Sequence, residues 1–169
     1  CSEWAKGVVS SEIDINQDNI HVIPLGVDDD IFNQGYGYAS AHLDGPTIFF
    51  NCGKWEVRKG HDIIPEAFCK AFTEEDNVEL WMMCENPFNS PDEEAKWQDM
   101  YTSCPLGSKV RLLDRVETQD EVYNIMSNTT CGVFPARAEG WNLELLEMMA
   151  CNKPVITTNY SAHTEFCTK

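Results

Sequence analysis

The sequence predicts an α/β domain built on a doubly wound parallel sheet, and three observations carry that expectation. Five short apolar runs alternate with amphipathic stretches whose apolar positions recur at helical spacing. Gly, Pro, Asn and Asp punctuate the connections between them. One unit reads in full: Thr129–Phe134, a loop holding Gly140, an amphipathic run, Asn152-Lys153-Pro154, then a β-branched run to Ile156. Strand, loop, helix, strand is the repeating unit of a parallel sheet.

The totals narrow the class. At 169 residues the chain is one domain's worth, and with 43% hydrophobic residues it can bury an ordinary core. A formal charge of −16 argues against nucleic acid or an anionic membrane as a broad-surface partner. A small anion can still be held if the twelve cations are concentrated in one place. No apolar run is long enough to span a bilayer and no signal peptide is visible, so no membrane span is expected. Eight cysteines show no CxxC pair and no Cys/His metal spacing. Several lie in apolar segments, where Cys behaves as a small hydrophobe, and we expect free thiols in a reducing, cytoplasmic compartment.

Taken in order, residues 1–19 read as a short helix and a polar loop, and Ile20–Phe32 as a strand, Pro-Leu-Gly-Val-Asp and a turn. Asp28-Asp29-Asp30 carries two carboxylates one residue apart, a spacing that suits a hard cation but is also ordinary turn chemistry. We expect no metal there. Residues 33–46 read as a loop. Thr47–Cys52 is a buried strand, and Lys59–Phe72 a helix with Ile63, Ile64, Ala67, Phe68, Ala71 and Phe72 on one face. Pro65 sits early in that helix or kinks it. Val78–Asn86 is a second strand, Asp92–Tyr101 a helix started by Ser90-Pro91-Asp92, and Lys109–Val116 a third strand. Thr118 caps a helix that turns Val122, Ile125 and Met126 to one side. After Ile156 come a loop and the start of a last helix.

Two places carry chemistry. The loop from Gly53 to Gly60 holds Lys54, Arg58 and Lys59, three of the twelve cations, at the C-terminal end of the first strand. Cations clustered at a strand end, with helix-end N–H groups beside them, can hold a small anion. The second place is the unit from Pro135 to Ile156, with Glu139 in the loop and Glu147 eight residues on, inside the helix. A helix entered this way turns its N–H groups and positive end to the sheet edge where α/β folds bind ligands. From the residues alone, the two acids read equally as surface carboxylates favoured by the helix dipole, and the lysines as solvated cations. His21, His42, His61 and His163 have no paired context and are expected to be structural or solvent-facing.

Glu139-Gly140-Trp141, then Glu147, Met149-Ala150-Cys151 and Lys153-Pro154-Val155-Ile156 resemble the signature of GT-B-fold retaining glycosyltransferases of the group 1 type. Ile23-Pro24-Leu25-Gly26-Val27-Asp28 resembles the linker by which these enzymes enter their second domain. Gly53-Lys54, followed by Lys59-Gly60, resembles their phosphate loop. The resemblance covers essentially the whole chain. It implies the C-terminal, Rossmann-like half of a GT-B fold, with residues 1–40 as interdomain linker and incoming strand and 41–169 as donor-binding domain. On that footing the chain is a fragment of a two-domain enzyme and inactive alone.

The resemblance also implies roles. Glu139, Lys54 and Lys59 would be catalytic: Glu139 accepts from donor-sugar hydroxyls, while Lys54 and Lys59 hold the diphosphate and stabilise its departure. Glu147 would accept from the ribose. Gly53 and Gly140, with the N–H groups of Trp141, Asn142 and Leu143, would lie against sugar or diphosphate, Arg115 and Val116 against the base, and Gly26 and Val27 near the donor. The implied reaction moves a hexose from a UDP- or GDP-linked donor to a hydroxyl on a sugar, lipid-linked or protein acceptor. It uses no metal or other cofactor, and the acceptor is held by an N-terminal domain. Three positions depart from the family pattern. Asn142 stands where Gly is common, Lys54 where Arg is, and Ala136 where Ser often is. Asn tolerates left-handed backbone angles and can cap a helix, so the turn stays feasible. A GT-B epimerase or phosphorylase half, and a non-catalytic flavodoxin-like module, remain as alternatives. A receiver module would need an acidic pair where Gly53 and Lys54 stand.

Overall fold

The computed structural model describes residues 2–33 and 45–167. Five strands form one sheet: β1 (Thr47–Cys52), β2 (Val78–Met83), β3 (Val110–Leu112), β4 (Cys131–Phe134) and β5 (Val155–Thr157). Their order is β3-β2-β1-β4-β5 and every pairing is parallel. The chain winds outward from β1 to β3, then returns to place β4 on the other side of β1. The C-terminal ends of β1 and β4 therefore diverge into a crevice, the switch point at which open α/β sheets take ligands.

The helices are α1 (Glu3–Glu12), α2 (Ile64–Ala71), α3 (Pro91–Thr102), α4 (Gln119–Ser127), α5 (Leu143–Ala150) and α6 (His163–Phe166). Side chains alternate across the pleat, so each central strand feeds two cores. Phe50, Cys52 and Met83 pack with Met126, Leu145 and Met148 of α4 and α5. Leu80 and Met82 pack instead with Ile64, Phe68 and Tyr101 of α2 and α3. Capping boxes start α3 at Ser90 and α4 at Thr118, each with a Glu three residues on that bonds back to the cap N–H.

Three expectations require correction. Ile20–Ile23 forms no strand, and Ile23 is 73% exposed. Pro24 offers no N–H to a ladder, and residues 20–23 pair with none of the five strands. The helix expected from Lys59 begins at Ile64, because Gly60 adopts φ +74° and Pro65 suits only the first turn. Its buried face is Ile64, Pro65 and Phe68, while Ile63, Ala67 and Ala71 face water. β3 is shorter than the expected Lys109–Val116, although the Leu113 N–H still reaches the Met82 carbonyl at 2.9 Å. Most of the loop expected over 33–46 lies outside the described residues.

The described cysteines are unpaired thiols, and burial raises Cys52 and Cys84 well above the usual thiol range. Asp28 Oδ1 accepts the Asp30 N–H at 3.1 Å, which gives the acidic triplet a turn role. Among the described residues no three His, Cys, Asp or Glu side chains converge as metal ligands, and no helix is long and apolar enough to cross a membrane.

Candidate functional site

A cleft of about 700 Å³ opens over the C-terminal ends of β1 and β4. Of the residues singled out in the sequence, Gly53, Lys54, Lys59, Arg115, Val116, Glu139, Trp141, Asn142, Leu143 and Glu147 line it. Gly140 does not, and Leu25 rather than Gly26 or Val27 reaches it from the linker. Val27 packs against the core beneath. The lining carries four cations and six carboxylates, so any attraction for an anion must come from local placement rather than overall charge.

That placement comes from two loops held face to face. The loop after β1 turns through a short 3₁₀ segment, Val57–Lys59, and closes on Gly60. The loop after β4 crosses it: the Arg137 N–H donates to the Arg58 carbonyl at 2.8 Å, and Arg58 donates to the Ala138 carbonyl at 2.9 Å. The Arg137 guanidinium grips Asp62 with two bonds, at 2.6 and 2.8 Å, and also donates to the Val57 carbonyl. Beneath, His61 is fully buried and accepts the Glu56 N–H at 3.2 Å, while Tyr101 donates to the His61 carbonyl at 2.7 Å. Burial, reinforced by Lys59, lowers the His61 imidazole to about 3, so it stays neutral and structural. Trp55 stacks on Trp97 with ring centres 5.6 Å apart and fixes the base of the same loop.

The crossing brings the charges together. Lys59 Nζ lies 3.2 Å from Glu139 Oε1 and 3.3 Å from Glu144 Oε1. Arg58 lies 2.7 Å from Glu139 Oε2 and 2.6 Å from Glu56 Oε2. Burial pulls the Lys59 ammonium down, but Glu144 and then Glu139 outweigh it and hold it above the ordinary lysine value. The Arg58 guanidinium is raised likewise, with Glu139 and Glu56 overcoming burial. Glu139 Oε1 meets Lys59 as an ion pair without the geometry of a hydrogen bond, and so keeps acceptor capacity for a hydroxyl. Lys54 lines the cleft but stands apart from this network, its ammonium 4.6 Å over the Phe88 ring.

A second set of bonds sets the entrance to α5. Asn142 takes φ +80°, a region open to Asn, and its Oδ1 caps the helix through the Leu145 N–H at 3.2 Å. Its amide also meets His163 Nε2 at 2.9 Å, and His163 Nδ1 meets Thr157 Oγ1 at 2.8 Å. Thr157 in turn donates to the Phe134 carbonyl at 3.0 Å. The partners thus assign the imidazole proton to Nδ1, and burial lowers the ring's pKa and keeps it neutral. Ser161 accepts the Glu139 N–H at 3.0 Å. Trp141 packs on Phe166 with ring centres 5.1 Å apart. Sequence reasoning finds neither Glu144 nor the Ser161–His163 brace, because nothing in their spacing marks them.

Burial first, then Glu144, push the Glu147 carboxyl from 4.5 up to about 7. The sign follows from proton counts: between those values the folded protein keeps a proton that the unfolded chain has released. Stability is therefore full below about 4.5 and declines as pH rises through about 7. Glu147→Gln is expected to flatten this decline by about 1–2 kcal/mol, a figure discounted for water around a half-buried group. Urea midpoints of both proteins at acidic and neutral pH test it. Equal slopes would exclude the assignment.

The sequence profile of the glycosyl transferases group 1 matches residues 45–169. The chain belongs to this family. Among solved structures, this group 1 chain resembles the C-terminal domain of a glycosyl transferase group 1 protein from Francisella tularensis. That match has TM-score 0.69 and 19% identity, covering 85% of this chain and 76% of the other. A Rickettsia africae glycosyltransferase matches with TM-score 0.81 and 18% identity, over 99% of this chain and 45% of the other. The Anabaena protein HepE, solved in complex with UDP-glucose, matches with TM-score 0.82 and 14% identity, over 99% and 46%. At such identities the likeness establishes the fold, which is the Rossmann-like half of GT-B glycosyltransferases. The group 1 chain spans less than half the length of the last two. No curated protein sequence matches it.

Proposed function

We propose that this chain is the donor-binding domain of a metal-independent retaining glycosyltransferase, taking a UDP- or GDP-linked sugar. The observation that carries the reading is the meeting of Lys59, Glu139 and the start of α5 in one crevice at the sheet's switch point, with Glu147 on the same wall. An ammonium and helix N–H groups suit a diphosphate. A carboxylate with acceptor capacity suits sugar hydroxyls, and Glu147, once ionised, suits a ribose. Lys59, with Lys54 at the mouth, would offset the charge that builds on the leaving diphosphate. Arg115 and Val116 line the cleft and would face the base. Trp141, Asn142 and Leu143 lead the chain into the first turn of α5. The acceptor hydroxyl, whether on a sugar, a lipid-linked group or a protein, would be held by the half of the fold that the longer relatives possess and this chain does not span. Alone, the chain would bind donor without transferring sugar.

Calorimetric titration of the chain with UDP, GDP and ADP, each with magnesium and with EDTA, tests this. Binding of one nucleotide with the same affinity in both media is expected. Binding that vanishes in EDTA would overturn metal independence, and no binding at all would overturn the donor-site reading.

A further inference from the structure

Glu144 has no part in the reading above, yet it lines the cleft beside Lys59. Asn142 caps α5 and Leu143 is its first residue, so Glu144 projects from the first turn toward the loop after β1. Its Oε1 is 3.3 Å from Lys59 Nζ and 3.3 Å from the point where a Cβ on Gly53 would lie. Gly53, at φ +134°, has no side chain, and the space beside it is shared by the lysine ammonium and this carboxylate. A diphosphate seeking Lys59 and the start of α5 needs that same corner. Lys59 already has Glu139 as a counter-ion, so Glu144 is a second anion on one cation.

Resting on the cleft as a nucleotide-sugar site, we infer that Glu144 is a built-in competitor for the diphosphate, a carboxylate that must leave Lys59 before the donor's phosphates can take its place. Glu144 is partly exposed and can rotate into solvent when displaced. The groups around it include Lys59 from the loop after β1, Cys52 at the end of β1, Cys84 after β2, and Glu139 and Glu147 from the loop after β4 and from α5. Lys59 is the cation among them. Displaced, the carboxylate remains close to the bound phosphates and repels them. Glu144 thus sets a threshold: a ligand must bring enough negative charge to displace a resident acid from one lysine.

The test is titration of the chain and its Glu144→Gln variant with UDP, GDP and ADP, alongside the matching uncharged nucleosides. Glutamine keeps the size and removes the charge. The variant should bind the preferred diphosphate roughly tenfold more tightly, as expected when a like charge about 5 Å away is removed from a partly hydrated site. Its affinity for the nucleoside should be unchanged. If Glu144 served only to stabilise α5, the variant would lose stability and leave the diphosphate-to-nucleoside preference where it was. Diphosphate binding equal to or weaker than wild type would overturn the inference while leaving the donor-site reading intact. If neither protein binds any nucleotide, the reading itself fails and the inference with it. Binding by the variant alone would support a stronger competitor.

Discussion

Lys59→Ala is expected to weaken nucleoside diphosphate binding by about a hundredfold or more and to destabilise the fold by about 2–3 kcal/mol. The side chain is only 13% exposed, and its ammonium lies between two carboxylates, one of them only 10% exposed. Truncation removes the deepest cation of the crevice and at the same time leaves Glu139 with Arg58 alone. Much of the stability loss is therefore the cost of an under-compensated buried charge rather than the worth of the ion pair. A cycle with Glu139→Gln separates the two. Neutralising Glu139 in the Lys59→Ala background should restore much of the stability and none of the binding. Urea unfolding and calorimetry on the four proteins measure both effects. Wild-type affinity in Lys59→Ala would sink the diphosphate role outright.

Gly60→Ala is expected to cost about 2–4 kcal/mol of stability. Gly60 has φ +74°, and an added Cβ would fall 2.2 Å from the Pro135 carbonyl oxygen and 2.9 Å from its carbon. Those are backbone atoms at the end of β4, and neither can move without disturbing the bonds between Arg58 and the 137–138 segment. Relief must come from separating the two loops, which also withdraws Arg58 and Lys59 from Glu139. The variant should therefore lose stability and diphosphate affinity together. A fall in the urea midpoint at constant slope would show the first. An unfolding free energy within about 0.5 kcal/mol of wild type would show that the contact yields easily, contrary to the geometry.

The parts of this site legible in the sequence are those fixed by local chemistry. Gly53, Gly60 and Asn142 are readable as turn positions, and all three adopt positive φ. Glu139 and Glu147 are readable as acids at a helix entrance. What cannot be read is which charge meets which. Arg58 is visible as an extra cation, yet its attachment to Glu139 depends on a crossing between segments about 80 residues apart. Lys54 and Lys59 read as two cations of one loop, and only the fold turns Lys59 inward to Glu139 and leaves Lys54 over Phe88. Glu144 reads as an ordinary first-turn acid because its partner lies 85 residues away. The missing strand at Ile20 fails for the converse reason: its residues suit a ladder, yet they pair with none of the five strands.

The position of β4 bears on how the chain comes off the ribosome. β1 pairs with β2 on one side and with β4 on the other, and the Asn51 side chain meets the Val133 carbonyl across 82 positions. At about 5–20 residues per second, β1 emerges on the order of 4–16 s before its second neighbour exists. For that interval Phe49 and Phe50 stand beside an unpaired row of backbone donors and acceptors, open to the same row on another nascent chain. The middle of the sheet thus stays half-paired long after β2 and β3 are in place, and β4 in turn waits for β5.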